Sequence, residues 1–177
     1  PFYALSSLVL LPVRLIYGDA IIDHMQLNML LLRQFISILP MILAAGILVY
    51  MQTRFESLWK SVALFLFLLT IRGIVRNNIW WWHPDALAVL FVVLTLFFLD
   101  RDRLRFGRNF YLAAFFCGLS IAIKLLGFFF FLTIPAYLLA GLLQKRIQFP
   151  RAALAAGLFL VVMVGTMVFS NPFLFSD

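Results

Sequence analysis

The chain has 177 residues, enough for one domain of ordinary size. Hydrophobic residues make up 65% of it and charged residues 12%, and the mean hydropathy is +1.07. A soluble domain is about 45–50% apolar and about 25% charged, so the composition excludes a soluble enzyme, a disordered tail and a disulfide scaffold, and points to an integral membrane protein. The long apolar runs and 21 phenylalanines fit helices that face lipid, not the short alternating strands of a β-barrel. A net charge of +7 in such a chain reads as Lys and Arg gathered in cytoplasmic loops, with no nucleic-acid partner. The single cysteine, Cys117, cannot form a disulfide within the chain.

In chain order the apolar runs are Phe2–Tyr17, Phe35–Met51, Ser61–Ile71, Ala86–Leu99, Phe110–Ile123, Leu125–Leu143 and Ala152–Phe169. Several fall short of the ~20 residues that a bilayer span needs and must extend through flanking polar residues or stop part-way. The first run, with Pro12 and Arg14 inside it, either crosses or lies in the outer interface. The predicted fold is an all-α polytopic transmembrane bundle of six to seven segments, a single domain over 1–177. A start at Pro1 without an initiator methionine and an end just after Asn171-Pro172 read as an internal portion of a longer protein.

The charges set the expected topology. Arg54 and Lys60 flank loop 52–60. Arg101, Arg103, Arg105 and Arg108 crowd loop 100–109, and Lys145, Arg146 and Arg151 mark loop 144–151. The three alternate with cation-poor connections, and the positive-inside bias makes them cytoplasmic. Tyr17–Arg33, Arg72–Asp85, the neighbourhood of Lys124 and Asn171–Asp177 then face outward.

Polar groups at membrane depth are costly and mark pairing or function. Arg72 and Arg76 are four apart and share a helix face. Two guanidiniums at a membrane boundary suit a phosphate or pyrophosphate, and equally suit snorkelling to headgroups. Trp80, Trp81 and Trp82 fit an interfacial aromatic belt, and tryptophan also stacks on sugar faces. Pro84 can open the following helix, with Asp85 in its first turn as a dipole-matched carboxylate or as a group that binds a sugar hydroxyl or orients His83. Lys124 separates two apolar runs and needs a carboxylate, a phosphate or water. Asp23, His24 and His83 lack metal-ligand spacing, so neither a metal nor a cofactor is expected. Ala114 and Gly118 form a small-xxx-small pair suited to close helix packing.

Five stretches in order resemble the polytopic glycosyltransferases of the GT-C superfamily, in the branch of the protein O-mannosyltransferases and the lipid A aminoarabinose transferase. Pro1-Phe2-Tyr3 resembles the end of the family's proline-proline-aromatic segment. Leu32-Arg33-Gln34-Phe35-Ile36-Ser37, leading to Tyr50 and Arg54, is similar to its LRL-S-LFG helix. His83-Pro84-Asp85-Ala86-Leu87 matches its RPDALL helix start, with His83 where the family has Arg. Gly118-Leu119-Ser120-Ile121-Ala122-Ile123-Lys124 looks like its GLALLTK turn, and Asn171-Pro172-Phe173 like its NPY.

The resemblance implies a membrane transferase that moves a sugar from a polyprenyl-phosphate donor to an acceptor on the extracytoplasmic face. Its partners would be the bilayer, the lipid-linked sugar and other membrane subunits. Arg33, His83, Asp85 and Lys124 map onto the family's positions, and Arg72 and Arg76 join them as candidate lipid-phosphate ligands. The family's principal acid lies upstream of the proline segment, before Pro1, so no catalytic residue is assigned. Two rivals stay open: a non-catalytic membrane subunit of a larger complex, and a transporter or flippase with Arg72, Arg76 and Lys124 along its path.

Overall fold

The structure, a computed structural model, describes residues 1–72, 82–124 and 133–171. Every regular element among the described residues is helical. The chain divides into two compact units, Pro1–Leu90 and Phe91–Asp177.

In the first unit α1 spans Phe2–Tyr17, matching the first apolar run. It ends at Gly18, whose φ of 57° a side chain would strain. A 3-10 segment, Gly18–His24, turns the chain so that α2, Met25–Leu32, packs back along α1. The turn is held locally: the ring of His24 lies 3.8 Å from that of Tyr17, and Asn28 Nδ2 donates to the Ile21 carbonyl at 2.8 Å. The expected outer loop Tyr17–Arg33 is therefore helical nearly throughout.

Helix α2 runs without a break into a π-helical stretch, Arg33–Ile38, and then into α3, Leu39–Thr53. Pro40 supplies a cause. It has no N–H to donate to the Ile36 carbonyl four residues back, and its ring crowds that carbonyl, so a widened turn at this point relieves the clash. Helix α3 closes on Arg54, left-handed at φ 50°, with its guanidinium over the Tyr50 ring at 5.3 Å. A short connection leads to α4, Leu58–Leu69, which packs on α3. Thr53 Oγ1 and the buried Ser61 Oγ, 2.9 Å apart, tie the two helices at this turn.

Helix α5, Asp85–Asp102, begins in the first unit and ends in the second. The second unit adds α6, Arg108–Ile123, α7, Thr133–Leu143, and α8, Phe149–Phe169. Its main contact is α6 on α8. The core there is Phe110, Ala113, Ala114, Cys117 and Ile121 against Ala155, Phe159 and Met163. Gly118 permits the closest approach, since a Cβ there would collide with the Met163 carbonyl oxygen and the Thr166 side chain. The small-residue pair Ala114/Gly118 thus lies on this interface. Phe110 meets Phe159 near the start of both helices, while Asn171 Nδ2 reaches the Ala122 carbonyl at 3.5 Å near their ends. The two helices are therefore parallel, as the fifth and seventh runs of an alternating path must be.

The connection between α5 and α6 is organised by Asp102, which is 2% exposed. Its Oδ2 accepts from the Phe106 N–H at 2.7 Å, and its Oδ1 from the Gly107 N–H at 3.0 Å. The Tyr137 hydroxyl of α7 lies 3.0 Å from Oδ2 and accepts from the Leu104 N–H at 2.7 Å. Arg103, Leu104 and Phe106 all hold positive φ, and these bonds stabilise that costly backbone. The loop is one of the three basic loops, but the residue that shapes it is an acid.

Two helical stretches are long and apolar enough to cross a membrane, Phe2–Thr53 and Phe149–Phe169. The first contains the 3-10 reversal, so it is not one straight rod. The other apolar helices are shorter than the expected spans; α4, at 12 residues, measures ~18 Å against a hydrocarbon core of ~30 Å. Helix α8 is apolar on every side. Ala152, Ala155, Phe159 and Met163 are buried, while Leu154, Leu158 and Val161 on the far face are exposed.

Candidate functional site

In the first unit three separated stretches meet where α5 begins. Pro84 accepts the first helical hydrogen bond, from the Ala88 N–H at 3.0 Å, so the helix opens one residue later than a proline at its first position would require. Asp85 then lies in the first turn, where a carboxylate faces the positive helix end. His83 Nδ1 lies 3.0 Å from Asp85 Oδ2, a close contact that is not aligned as a hydrogen bond. The two side chains are 45% and 28% exposed, open enough for a ligand to reach both.

The same segment is anchored from two sides. The His83 N–H points at Ser37 Oγ at 3.5 Å, and Ser37, on the π-helical stretch, is fully buried. Trp82 stacks on Phe2 with ring centres 5.1 Å apart and meets Tyr3 edge-on at 6.5 Å. Trp82 thus packs on the start of α1, and its indole Nε1 is buried without a hydrogen-bond partner among the described residues. A buried donor of this kind is costly and is satisfied by whatever acceptor reaches it.

Arg33 opens the π-helical stretch and is half-buried, four residues before Ser37. Arg72 is exposed just beyond α4. Arg76, Trp80 and Trp81 lie outside the described residues. Lys124 belongs to the second unit, at the end of α6. Its backbone leaves the helix in an extended conformation (φ −151°), and a cation at this position complements the negative helix end. Asn171 sits at the same end, its Nδ2 shared between the carbonyls of Ala122 and Met167 at 3.5 and 3.2 Å. Among the described residues no three His, Cys, Asp or Glu side chains gather to hold a metal ion.

Ser37, Phe2 and Asn171 bring these stretches together, and none of the three carries an obvious chemical signature. A serine in an apolar helix with an aromatic pair at the chain's start is a faint signal. It is readable only as polar groups that a membrane helix must satisfy.

No family model, no curated protein and no solved structure matches this chain. The site therefore has to be judged on its own geometry.

Proposed function

We propose that the chain is a multi-pass membrane glycosyltransferase domain that moves a sugar from a polyprenyl-phosphate donor to an acceptor on the extracytoplasmic face. One observation carries the reading. The stretches that resemble the GT-C enzymes, far apart in sequence, adjoin within each unit: Phe2 and Ser37 against Trp82–His83 in the first, and Asn171 against the Ala122–Lys124 helix end in the second. A resemblance that came from apolar composition alone would have no reason to produce such contacts.

The topology follows from the same reading. Loops 52–60, 100–109 and 144–151 lie on the cytoplasmic side, and the parallel course of α6 and α8 fits this alternation. The all-round apolar surface of α8 supports placing it in lipid. In the transfer, His83 with Asp85 would bind and orient a sugar or acceptor hydroxyl. Arg33, Arg72, Arg76 and Lys124 are the cations available to stabilise the departing lipid phosphate, whose negative charge grows as the glycosidic bond breaks.

The test is to purify the full-length protein in detergent, supply polyprenyl-phosphate sugars and follow release of polyprenyl phosphate. The expected result is release that falls at least ~100-fold in Lys124→Ala, the usual cost of removing one group that stabilises developing charge, while the variant keeps its helical spectrum and thermal midpoint. No release from any such donor would overturn the reading. Undiminished release by a folded Lys124→Ala protein would remove Lys124 from the site.

A further inference from the structure

The second unit holds a cleft that the proposed transfer does not use. It measures about 440 Å³ and is lined by Arg105 and Phe106 from the α5–α6 connection, Tyr111 of α6, the α7–α8 connection from Lys145 to Gln148, and Arg151 and Leu154 in the first turns of α8. Four of its walls are cations: Arg105, Lys145, Arg146 and Arg151. No wall residue is acidic, and among the described residues none of the four is paired with a carboxylate. The nearest loop acid, Asp102, is buried and already engaged by two backbone N–H groups and a tyrosine hydroxyl, so its oxygens are turned to the loop's own backbone.

Four like charges around one concavity repel each other and raise a positive potential inside it, which a polyanion relieves. Arginine grips phosphate through paired hydrogen bonds, and three of the four cations are arginines. The cleft is also amphiphilic. Beside the cations stand Phe106, Tyr111, Ile147 and Leu154, and Leu154 is 64% exposed on the outward apolar face of α8, one turn from Arg151. A charged cradle that opens beside an apolar helix face matches a phosphate attached to a hydrocarbon chain better than a free phosphate.

We infer that this cleft binds the headgroup of an anionic phospholipid, with its acyl chain lying along the Leu154 face of α8. The site rests on the membrane placement of α8 proposed above and is independent of glycosyl transfer. Bound lipid would neutralise the two basic connections and hold them together at one end of the unit.

The experiment is native mass spectrometry of the full-length protein released from micelles that contain dioleoylphosphatidylglycerol or dioleoylphosphatidylcholine at equal mole fraction. The wild type is expected to retain phosphatidylglycerol over phosphatidylcholine. At about a fivefold loss per cation removed, Arg146→Gln/Arg151→Gln should lower phosphatidylglycerol retention roughly thirty-fold. Lys60→Gln, which removes a charge from a different basic loop, should leave retention unchanged, and the charge-keeping Arg146→Lys/Arg151→Lys should retain most of it, which separates lost contacts from lost folding.

Equal retention of the two lipids, or an equal loss in Lys60→Gln, overturns the cleft while leaving the membrane placement intact. No lipid retained at all overturns both. Displacement of the lipid by millimolar glycerol phosphate would assign the cleft to soluble phosphates and overturn the lipid assignment.

Discussion

The two units solve the same problem, apolar helices that must stay associated, in different ways. The second unit is dense. Phe110, Ala113, Ala114 and Cys117 are all fully buried, and Phe159 nearly so, where α6 and α8 approach each other through glycine and alanine. Its loop is fixed by a buried carboxylate. The first unit has a sparser core, in which Val13, Ile36, Ala44, Ala45 and Val49 are buried alongside Ser6, Ser37 and Ser61. Its helices are joined by scattered hydroxyl and ring contacts. In a bilayer, helices gain little from hiding apolar surface from one another, so close packing and polar ties decide association. The second unit relies mainly on the first device, and the first unit on the second. The looser unit is also the one that presents His83 and Asp85 at a partly open helix start, a place where a substrate needs room.

Three substitutions would sharpen or break this contrast. The largest effect is expected from Asp102→Ala. It strips the acceptor from two buried N–H groups and a tyrosine hydroxyl and leaves three positive-φ residues unsupported, at a cost on the order of 4 kcal/mol. Thermal unfolding of the detergent-solubilised protein reads this. A loss below about 1 kcal/mol would show that the loop does not depend on its acid. Next comes Gly118→Val, which forces α6 away from the α8 backbone and should destabilise by about 1–3 kcal/mol. Cysteine cross-linking between the two helices, weakened in the variant, is the independent readout. The smallest is Ser37→Ala, which removes the oxygen facing the His83 N–H across a long 3.5 Å contact. It should cost about 1 kcal/mol or less of stability. Hydrogen exchange at the His83 amide should accelerate while the second unit stays protected. If the second unit loosened equally, the two units would not be separable in stability.

Much of the helical layout was legible in the apolar runs. Phe2–Tyr17 became α1 without change, and the fifth run, Phe110–Ile123, gained only Arg108 and Asn109 at its start. Each basic stretch expected to be a loop contains a connection between helices, because charge and apolar length both oppose continuing a span there. Other features depend on backbone geometry or distant partners. Arg33–Ile38 has the same apolar character as an ordinary helix, and only the presence of Pro40 hints at a wider turn. The chain reversal at Gly18–His24 was read as a loop because its polar residues suggest one, although the segment winds tightly instead. Asp102 looked like one more charge in a charged loop. Its role depends on Tyr137, 35 residues away, and no local pattern announces that. Of the proposed ligands, His83 and Asp85 were legible as neighbours because they are two residues apart, whereas the contributions of Ser37 and Phe2 required the fold.

The widened turn at Arg33–Ile38 also has a genetic consequence. A π stretch carries an extra residue relative to regular winding, so deleting a single codon there would let the helix revert to ordinary pitch. Everything from Leu39 onward would then rotate by about 100° against Met25–Leu32, since each residue advances a helix by that angle. The azimuth of α3, and with it the side from which Ser37 meets His83, is thus encoded by one surplus amino acid.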